Sequence, residues 1–155
     1  MRIEPKSVLF VCLGNICRSP MAEGIFRQHS SNTEAGAILS GESAGIGNWH
    51  VEEPPHPMSI STAAGHGIDI GSQRCRQISV RDLDRFDLIA CMDANNLAAV
   101  RALGGGRAQI HRFLDYCGTP GDVPDPWGLG AQAYEQVFRR LASSMPRLIE
   151  RLVSG

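Results

Sequence analysis

Val8-Leu9-Phe10-Val11-Cys12-Leu13-Gly14-Asn15-Ile16-Cys17-Arg18-Ser19-Pro20 is the stretch on which the fold turns. Val8 to Val11 are apolar without alternation, which reads as a strand buried on both faces, as in a parallel sheet. A short polar loop follows, and then a helix-compatible segment, Met21 to Gln28. Ser19 and Pro20 suit a helix start, Ser as the cap and Pro at the first helical position. A loop between such a strand and such a helix directs several backbone N–H groups at one spot, beside the positive end of the helix dipole. That makes an anion cradle. Cys12 and Arg18 stand at its two ends, spaced C-x5-R. Cradle and guanidinium together favour the thiolate of Cys12, a nucleophile. Arg18 offers a planar fork that grips two phosphoryl oxygens, a geometry lysine lacks. A loose phosphoryl transition state carries its charge on equatorial oxygens, and backbone N–H groups with Arg18 suit it. C-x5-R alone is weak; its place at a strand end, with Gly14 for close approach, strengthens it. The bland alternative, Cys12 as a small buried hydrophobe and Arg18 as a surface charge, leaves that context unexplained.

Working outward, Ile38 to Ser40, with Ala37 and Gly41, reads as a short second strand. Gly45 to Pro57 is a loop carrying Trp49-His50-Val51 in its middle. Trp49 is either a cap on the core beneath the loop or an aromatic wall beside the cradle. Pro57 opens a helix to about Gly65, and Ser79-Val80-Arg81-Asp82 resembles a capping box before a short helix. Leu88 to Met92 is a second unbroken apolar run and a central strand. Asp93 caps a helix over Ala94–Leu103, and Gln109 to Phe113 is the last strand. A turn-rich loop, Gly118 to Gly128, contains Asp125-Pro126-Trp127. Tyr134, Val137, Phe138, Leu141, Met145, Leu148 and Leu152 then form one helical stripe, with Pro146 expected to kink or break it. Strands alternating with helices predict an α/β, doubly wound, four-stranded parallel sheet in a single domain spanning 1–155, with its site at the carboxyl ends of the strands.

With 155 residues the chain can bury a sizeable core. Its 15 Lys and Arg against 16 Asp and Glu give no electrostatic appetite for nucleic acid or a membrane surface. No run reaches membrane-spanning length, and Met1 to Ser7 is too short and polar for a signal peptide, so the expected location is cytoplasmic. Five dispersed cysteines, without a C-x-x-C pair, argue against a zinc site and a secreted disulfide scaffold.

These residues resemble the low-molecular-weight protein tyrosine phosphatases over nearly the whole chain. The loop Cys12 to Arg18 with Ser19-Pro20-Met21-Ala22-Glu23, followed in order by Asp125-Pro126-Trp127, is the specific part. Ser43-Ala44-Gly45, Trp49-His50-Val51, Glu53-Pro54-Pro55, His66-Gly67-Ile68, Arg76-Gln77 and Met92-Asp93 support it. The resemblance implies a flavodoxin-like fold and a metal-independent, cofactor-free phosphoric monoester hydrolase. In it Cys12 attacks phosphorus, Arg18 clamps the phosphoryl oxygens, and Asp125 protonates the leaving phenolate and then activates water. Leu13, Gly14, Asn15, Ile16, Cys17, Ser19, Trp49 and Trp127 are the implied phosphate- and ring-binding residues. Asn15 tolerates a left-handed backbone and Ser19 can hydrogen-bond the thiolate. Cys17 matches a position where a neighbouring thiol forms a protective disulfide with Cys12, or it simply packs in the loop. Cys75, Cys91 and Cys117 read as structural, and Asp93 either as a helix cap alone or, as the resemblance implies, also as a support for the loop.

Two departures stand out: Gln73 where relatives carry His, and Gly128 where many carry Tyr. The implied partner is a phosphotyrosine protein, a bacterial tyrosine kinase among the guesses, acted on by a monomer or weak dimer. Two other activities share the loop. Protein-arginine phosphatases carry Thr where this chain has Ile16, and an apolar Ile16 opposite Trp49 suits a phenyl phosphate better. Thiol-dependent arsenate reductases need two further cysteines close together, and Cys75 and Cys91 stand sixteen apart.

Overall fold

The computed structural model describes residues 4–31 and 38–154. Strands β1 (Lys6–Cys12), β2 (Leu39–Gly45), β3 (Leu88–Cys91) and β4 (Gln109–Arg112) form one sheet in the order β2-β1-β3-β4, every neighbour parallel. The chain moves from β1 to one side for β2 and then to the other side for β3. The order therefore reverses at β1, and Cys12 ends that strand at the switch point where open α/β sheets bind ligands.

β1 sits between two cores because its period-2 faces are both apolar. Val8, Phe10 and Cys12 pack with Met21, Ile25 and Phe26 and with the stripe Tyr134, Phe138, Leu141 and Leu148. Leu9 and Val11 pack on the other face with Leu83, Phe86, Ile89 and Val100. Helices α1 (Arg18–Ser31), α2 (Pro57–Gly65) and α6 (Ala131–Ser154) supply the first layer; α3 (Asp82–Arg85) and α4 (Ala94–Arg101) supply the second. A short α5 (Phe113–Tyr116) follows β4 directly. The doubly wound parallel sheet expected from the alternation is present.

Four local expectations need correction. First, α1 begins at Arg18, so Ser19 and Pro20 lie inside its first turn and Ser19 is not the cap. Its hydroxyl is engaged by Cys12 and Asn15 instead, and Pro20 is tolerated because first-turn N–H groups lack helical partners anyway. Second, α6 runs through Pro146 without a break. Pro146 lies on the exposed face, while Leu141, Met145, Leu148, Ile149 and Leu152 are all buried. At about 1.5–3 kcal/mol each, their burial outweighs the roughly 3 kcal/mol a helical proline costs.

Third, β2 extends to Gly45 and is longer than Ile38–Ser40; Ala37 lies outside the described residues. The strand was hard to see because small residues replace apolar ones where neighbours come close. A Cβ on Gly41 would sit 2.6 Å from the Phe26 ring, and one on Gly45 would sit 2.9 Å from the backbone of Gly14 and Asn15. Fourth, β3, α4 and β4 each stop one or two residues early, and Phe113 opens α5 rather than ending β4. Elsewhere the reading holds in part. Pro57–Gly65 is helical, and Asp93 caps α4 through Asn96 N–H (2.8 Å). The capping box at Ser79 is only half formed: Asp82 reaches back to Ser79 N–H (2.8 Å), but α3 begins at Asp82 with Arg81 at its cap, so Ser79 is not the cap. Among the described residues no helix is long and apolar enough to cross a membrane.

Candidate active site

The loop between β1 and α1 is held from outside by its carbonyls. Cys12 O accepts from Ile46 N–H (3.0 Å), Leu13 O from Gly47 N–H (2.9 Å) and Ile16 O from His56 N–H (2.8 Å). Asn15 O accepts from the Cys75 thiol (2.9 Å) and Cys17 O from the Ser59 hydroxyl (3.3 Å). In a trans peptide the N–H of the next residue points opposite to the carbonyl. Tying these oxygens outward therefore turns the N–H groups of Leu13, Gly14, Ile16, Cys17 and Arg18 away from those partners, toward the loop's interior.

Asn15 is the pivot. It adopts φ +60°, a left-handed conformation that Asn tolerates better than most residues. Its side chain is used at both ends: Nδ2 donates to Ser19 Oγ (2.8 Å), and Oδ1 accepts from Arg76 N–H (2.9 Å). Ser19 Oγ lies 3.0 Å from Cys12 Sγ. Ser19 Oγ accepts from Asn15 and still carries its own O–H proton, which it can donate to the Cys12 sulfur when that sulfur is a thiolate.

Arg18 is 2% exposed and anchored at one end only. Nη1 donates to Asp93 Oδ2 (2.7 Å) and to Val123 O (2.9 Å). Nε has no hydrogen-bond partner, and Nη2 has Asp125 Oδ2 at 3.7 Å. The Nε–Nη2 edge of the fork is thus uncommitted, the edge that binds two oxygens of one anion. A buried N–H without a partner costs stability, so this edge is open to the acceptors of a ligand. Asp93 caps α4 with one oxygen and holds Arg18 with the other, so the cap-plus-support expectation holds, with Arg18 as the group supported.

A pocket of about 170 Å³ opens over Cys12, Gly14 and Arg18. Leu13, Ile16 and Cys17 line it from the loop, and Trp49 and Trp127 stand at its rim, 64% and 63% exposed. Trp49 is therefore a wall of the pocket and not a cap on the core. Asp125 also lines it, half-exposed, with Oδ1 accepting from Trp127 N–H (3.1 Å). The turn-forming and pocket-lining readings of Asp125 coexist. Asn15 and Ser19 are buried beneath the pocket.

Two contributors escaped the sequence reading. His50 lines the pocket beside Gly14, where a Cβ would meet its ring at 3.3 Å. Cys75, read as structural, holds the loop at Asn15 O. The signal for it was positional, since Cys75 precedes the Arg76-Gln77 pair that docks on Asn15 and on Ile46 O. Gln73 does not reach Asn15; its Nε2 donates to Pro20 O (3.1 Å). Gly128 takes φ +79°, which a tyrosine would occupy only with strain.

Burial pushes the other cysteine thiols up. Cys17 and Cys75 rise to about 11, and Cys91 and Cys117 to about 12. All four therefore stay protonated at neutral pH. Cys17 also contacts the Tyr134 hydroxyl (3.3 Å), whose own acidity is lowered by burial and by that thiol. Cys91 faces the second core, across the sheet from Cys12, so no Cys75–Cys91 relay leads to the pocket.

Against known proteins, the family described as low molecular weight phosphotyrosine protein phosphatase matches residues 7–154. The chain is 42% identical over 147 residues to the low molecular weight protein-tyrosine-phosphatase YfkJ of Bacillus subtilis, covering 92% of this chain and 93% of that one. The crystal structure of YfkJ superimposes with a TM-score of 0.88, covering 97% and 96% of the two chains at 40% identity. The low molecular weight phosphotyrosine protein phosphatase of Sus scrofa is 31% identical over 152 residues, covering 95% and 96%. A Drosophila arginine phosphatase superimposes with a TM-score of 0.83 at 27% identity, covering 92% and 95%. With the family match over residues 7–154 and relatives alike over most of both chains, the chain belongs to the low-molecular-weight phosphotyrosine protein phosphatase family.

Proposed function

We propose that this chain hydrolyses phosphotyrosine in proteins through a cysteinyl-phosphate on Cys12. The observation that carries the reading is the convergence of Cys12, the uncommitted edge of Arg18 and Asp125 on one pocket walled by Ile16, Trp49 and Trp127. In the first step the Cys12 thiolate forms an S–P bond as the P–O bond to tyrosine breaks, and Asp125 gives its proton to the departing phenolate. Arg18 Nε and Nη2, with the inward N–H groups, hold the equatorial oxygens. In the second step water attacks phosphorus and Asp125 takes its proton. The S–P bond breaks, returning the thiolate to its hydrogen bond from Ser19 and releasing inorganic phosphate.

The apolar Ile16 beside the ring site favours a phenyl over a guanidinium leaving group, while the tryptophan walls accept either flat group. The experiment is hydrolysis of p-nitrophenyl phosphate and phosphotyrosine peptides in the presence of a chelator, with vanadate as inhibitor. Cys12→Ser is expected to abolish turnover, and full activity in that variant would sink the mechanism. Faster turnover of phosphoarginine than of phosphotyrosine peptides would move the substrate assignment to the arginine phosphatases. Cys12→Ser also serves as bait for the phosphoprotein partner, a tyrosine kinase among the candidates.

A further inference from the structure

A second cavity, about 550 Å³, adjoins the first. The two share Ile16, His50 and Trp127, so these three side chains form the partition between them. Beyond it the lining runs along Pro54, Pro55 and Pro57 to Ile60 and Ser61 at the start of α2. We propose that this groove seats the residues flanking the phosphotyrosine, taking an apolar side chain against Ile60 and the prolines and a basic one beside Glu53. The proposal rests on the phosphotyrosine reading and adds to it a class of substrate sequence.

Three observations support this occupant. The first is continuity: a chain whose phosphorylated ring lies between Trp49 and Trp127 leaves the first pocket across Ile16 and enters the second. The second is charge. Glu53 is the one carboxylate in the groove lining, with no Lys or Arg beside it. Its side chain is 57% exposed, and His50 Nδ1 lies 3.2 Å away. A peptide cation placed there meets an exposed carboxylate that otherwise pairs with the His50 imidazole, whereas an acidic residue meets repulsion. The third is preorganisation. His56 Nδ1 accepts from Met58 N–H to cap α2, and His56 N–H is bound to Ile16 O. Glu53 is pinned by its N–H to His50 O (2.9 Å) and its carbonyl to Cys75 N–H (2.9 Å). Three prolines fix the backbone of the wall, so little ordering is left for a peptide to induce.

The test measures kcat/KM on phosphotyrosine peptides in which Leu, Ala, Arg or Glu is placed at each of the three positions on either side of the phosphotyrosine. Each value is divided by that of the same enzyme on p-nitrophenyl phosphate. One flank is expected to prefer Leu nearest the ring and Arg beyond it, over Ala and Glu, by tenfold or more. Glu53→Lys is expected to reverse the Arg-over-Glu preference, and Ser61→Trp, which fills the groove from an exposed position, to erase the Leu preference. A flat profile in an enzyme that turns over all the peptides would overturn the groove and leave the phosphotyrosine reading standing. Failure to turn over any of them would overturn both. If peptide turnover per enzyme falls as enzyme concentration rises while the chain dimerises, the groove belongs to a second copy and the proposal fails.

Discussion

The Cys75 thiol donates to the carbonyl of Asn15 across 2.9 Å, from a segment sixty residues further along the chain. That bond and the one from Arg76 N–H to Asn15 Oδ1 (2.9 Å) clamp a residue already in a left-handed conformation. Asn15 in turn positions Ser19, and Ser19 meets the Cys12 sulfur. Removing the thiol leaves a buried carbonyl without this donor, worth about 1 kcal/mol and thus roughly fivefold in kcat/KM. Cys75→Ala should show that loss on p-nitrophenyl phosphate, while Cys75→Ser, which keeps a donor, should recover most of it. Unchanged kcat/KM in Cys75→Ala would show that the clamp does not reach Cys12.

Asp125→Ala should slow phosphotyrosine turnover by about 10²–10⁴-fold, the usual worth of a positioned general acid. The loss should be smaller with p-nitrophenyl phosphate, whose leaving group needs less help from a proton. Affinity for vanadate should change little, since Arg18 and the loop hold that anion. Equal losses on the two substrates would argue that Asp125 acts by placing Arg18, 3.7 Å away, and not by moving a proton.

Asp93 serves two elements with two oxygens, and Asp93→Ser separates them. Serine retains a cap for α4 but gives up the 2.7 Å contact to Arg18 Nη1. Arg18 then keeps only Val123 O on that side. The expected result is weaker vanadate binding and lower kcat/KM by roughly tenfold or more, at the 1.5–3 kcal/mol of a charge-assisted bond, with far-ultraviolet circular dichroism unchanged. Loss of helical signal instead would mean that the cap is the greater role.

Asp87 links the starts of β1 and β3. Burial alone would raise its carboxyl, but the hydrogen bond from Arg107 (2.7 Å) and those from Ser7 N–H (2.8 Å) and Oγ (3.2 Å) outweigh it and hold the carboxyl below its ordinary value. A carboxylate lowered by folding stabilises the protein above its unfolded pKa, and that contribution fades as pH falls through the folded one. Asp87→Asn should therefore lower Tm at pH 7, by about 2–4 °C for each kcal/mol lost. The gap to the unsubstituted protein should narrow as pH drops below about 4. A constant gap from pH 7 down to about 3 would assign the effect to packing.

The loop from Cys12 to Arg18 was legible because its demands are local. A buried strand, a cysteine, a left-handed-tolerant Asn and an arginine at a fixed spacing leave few other solutions. The apolar stripe of α6 was legible for the same reason, its period being written in adjacent turns. What escaped depends on contacts between distant segments. β2 hides its strand character because Gly41 and Gly45 yield space to Phe26 and to the loop backbone. Cys75 looks like any dispersed thiol until the bridge between Gly45 and Gln77 brings its segment against Asn15. Ser19 was misplaced as a cap because a hydroxyl near a helix start has two uses, and only the position of Cys12 decides between them.

The pairing of β1 with β2 does not stop where the strands end. Cys12 lies opposite Gly45, and the next two residues continue the ladder, Ile46 N–H to Cys12 O and Gly47 N–H to Leu13 O. Gly47 is where the Trp49 ring lies down; a Cβ there would fall 1.9 Å from it. The gap between sulfur and aromatic wall is therefore measured out by sheet register, in steps of one residue, like the jaws of a calliper fixed to a rigid beam. A loop can drift toward a bulkier guest, but a register shifts only by whole residues, and a single step would turn β2's inner face to solvent. The spacing between the Cys12 sulfur and the Trp49 ring is thus set by a strand pairing that ends on Cys12 itself.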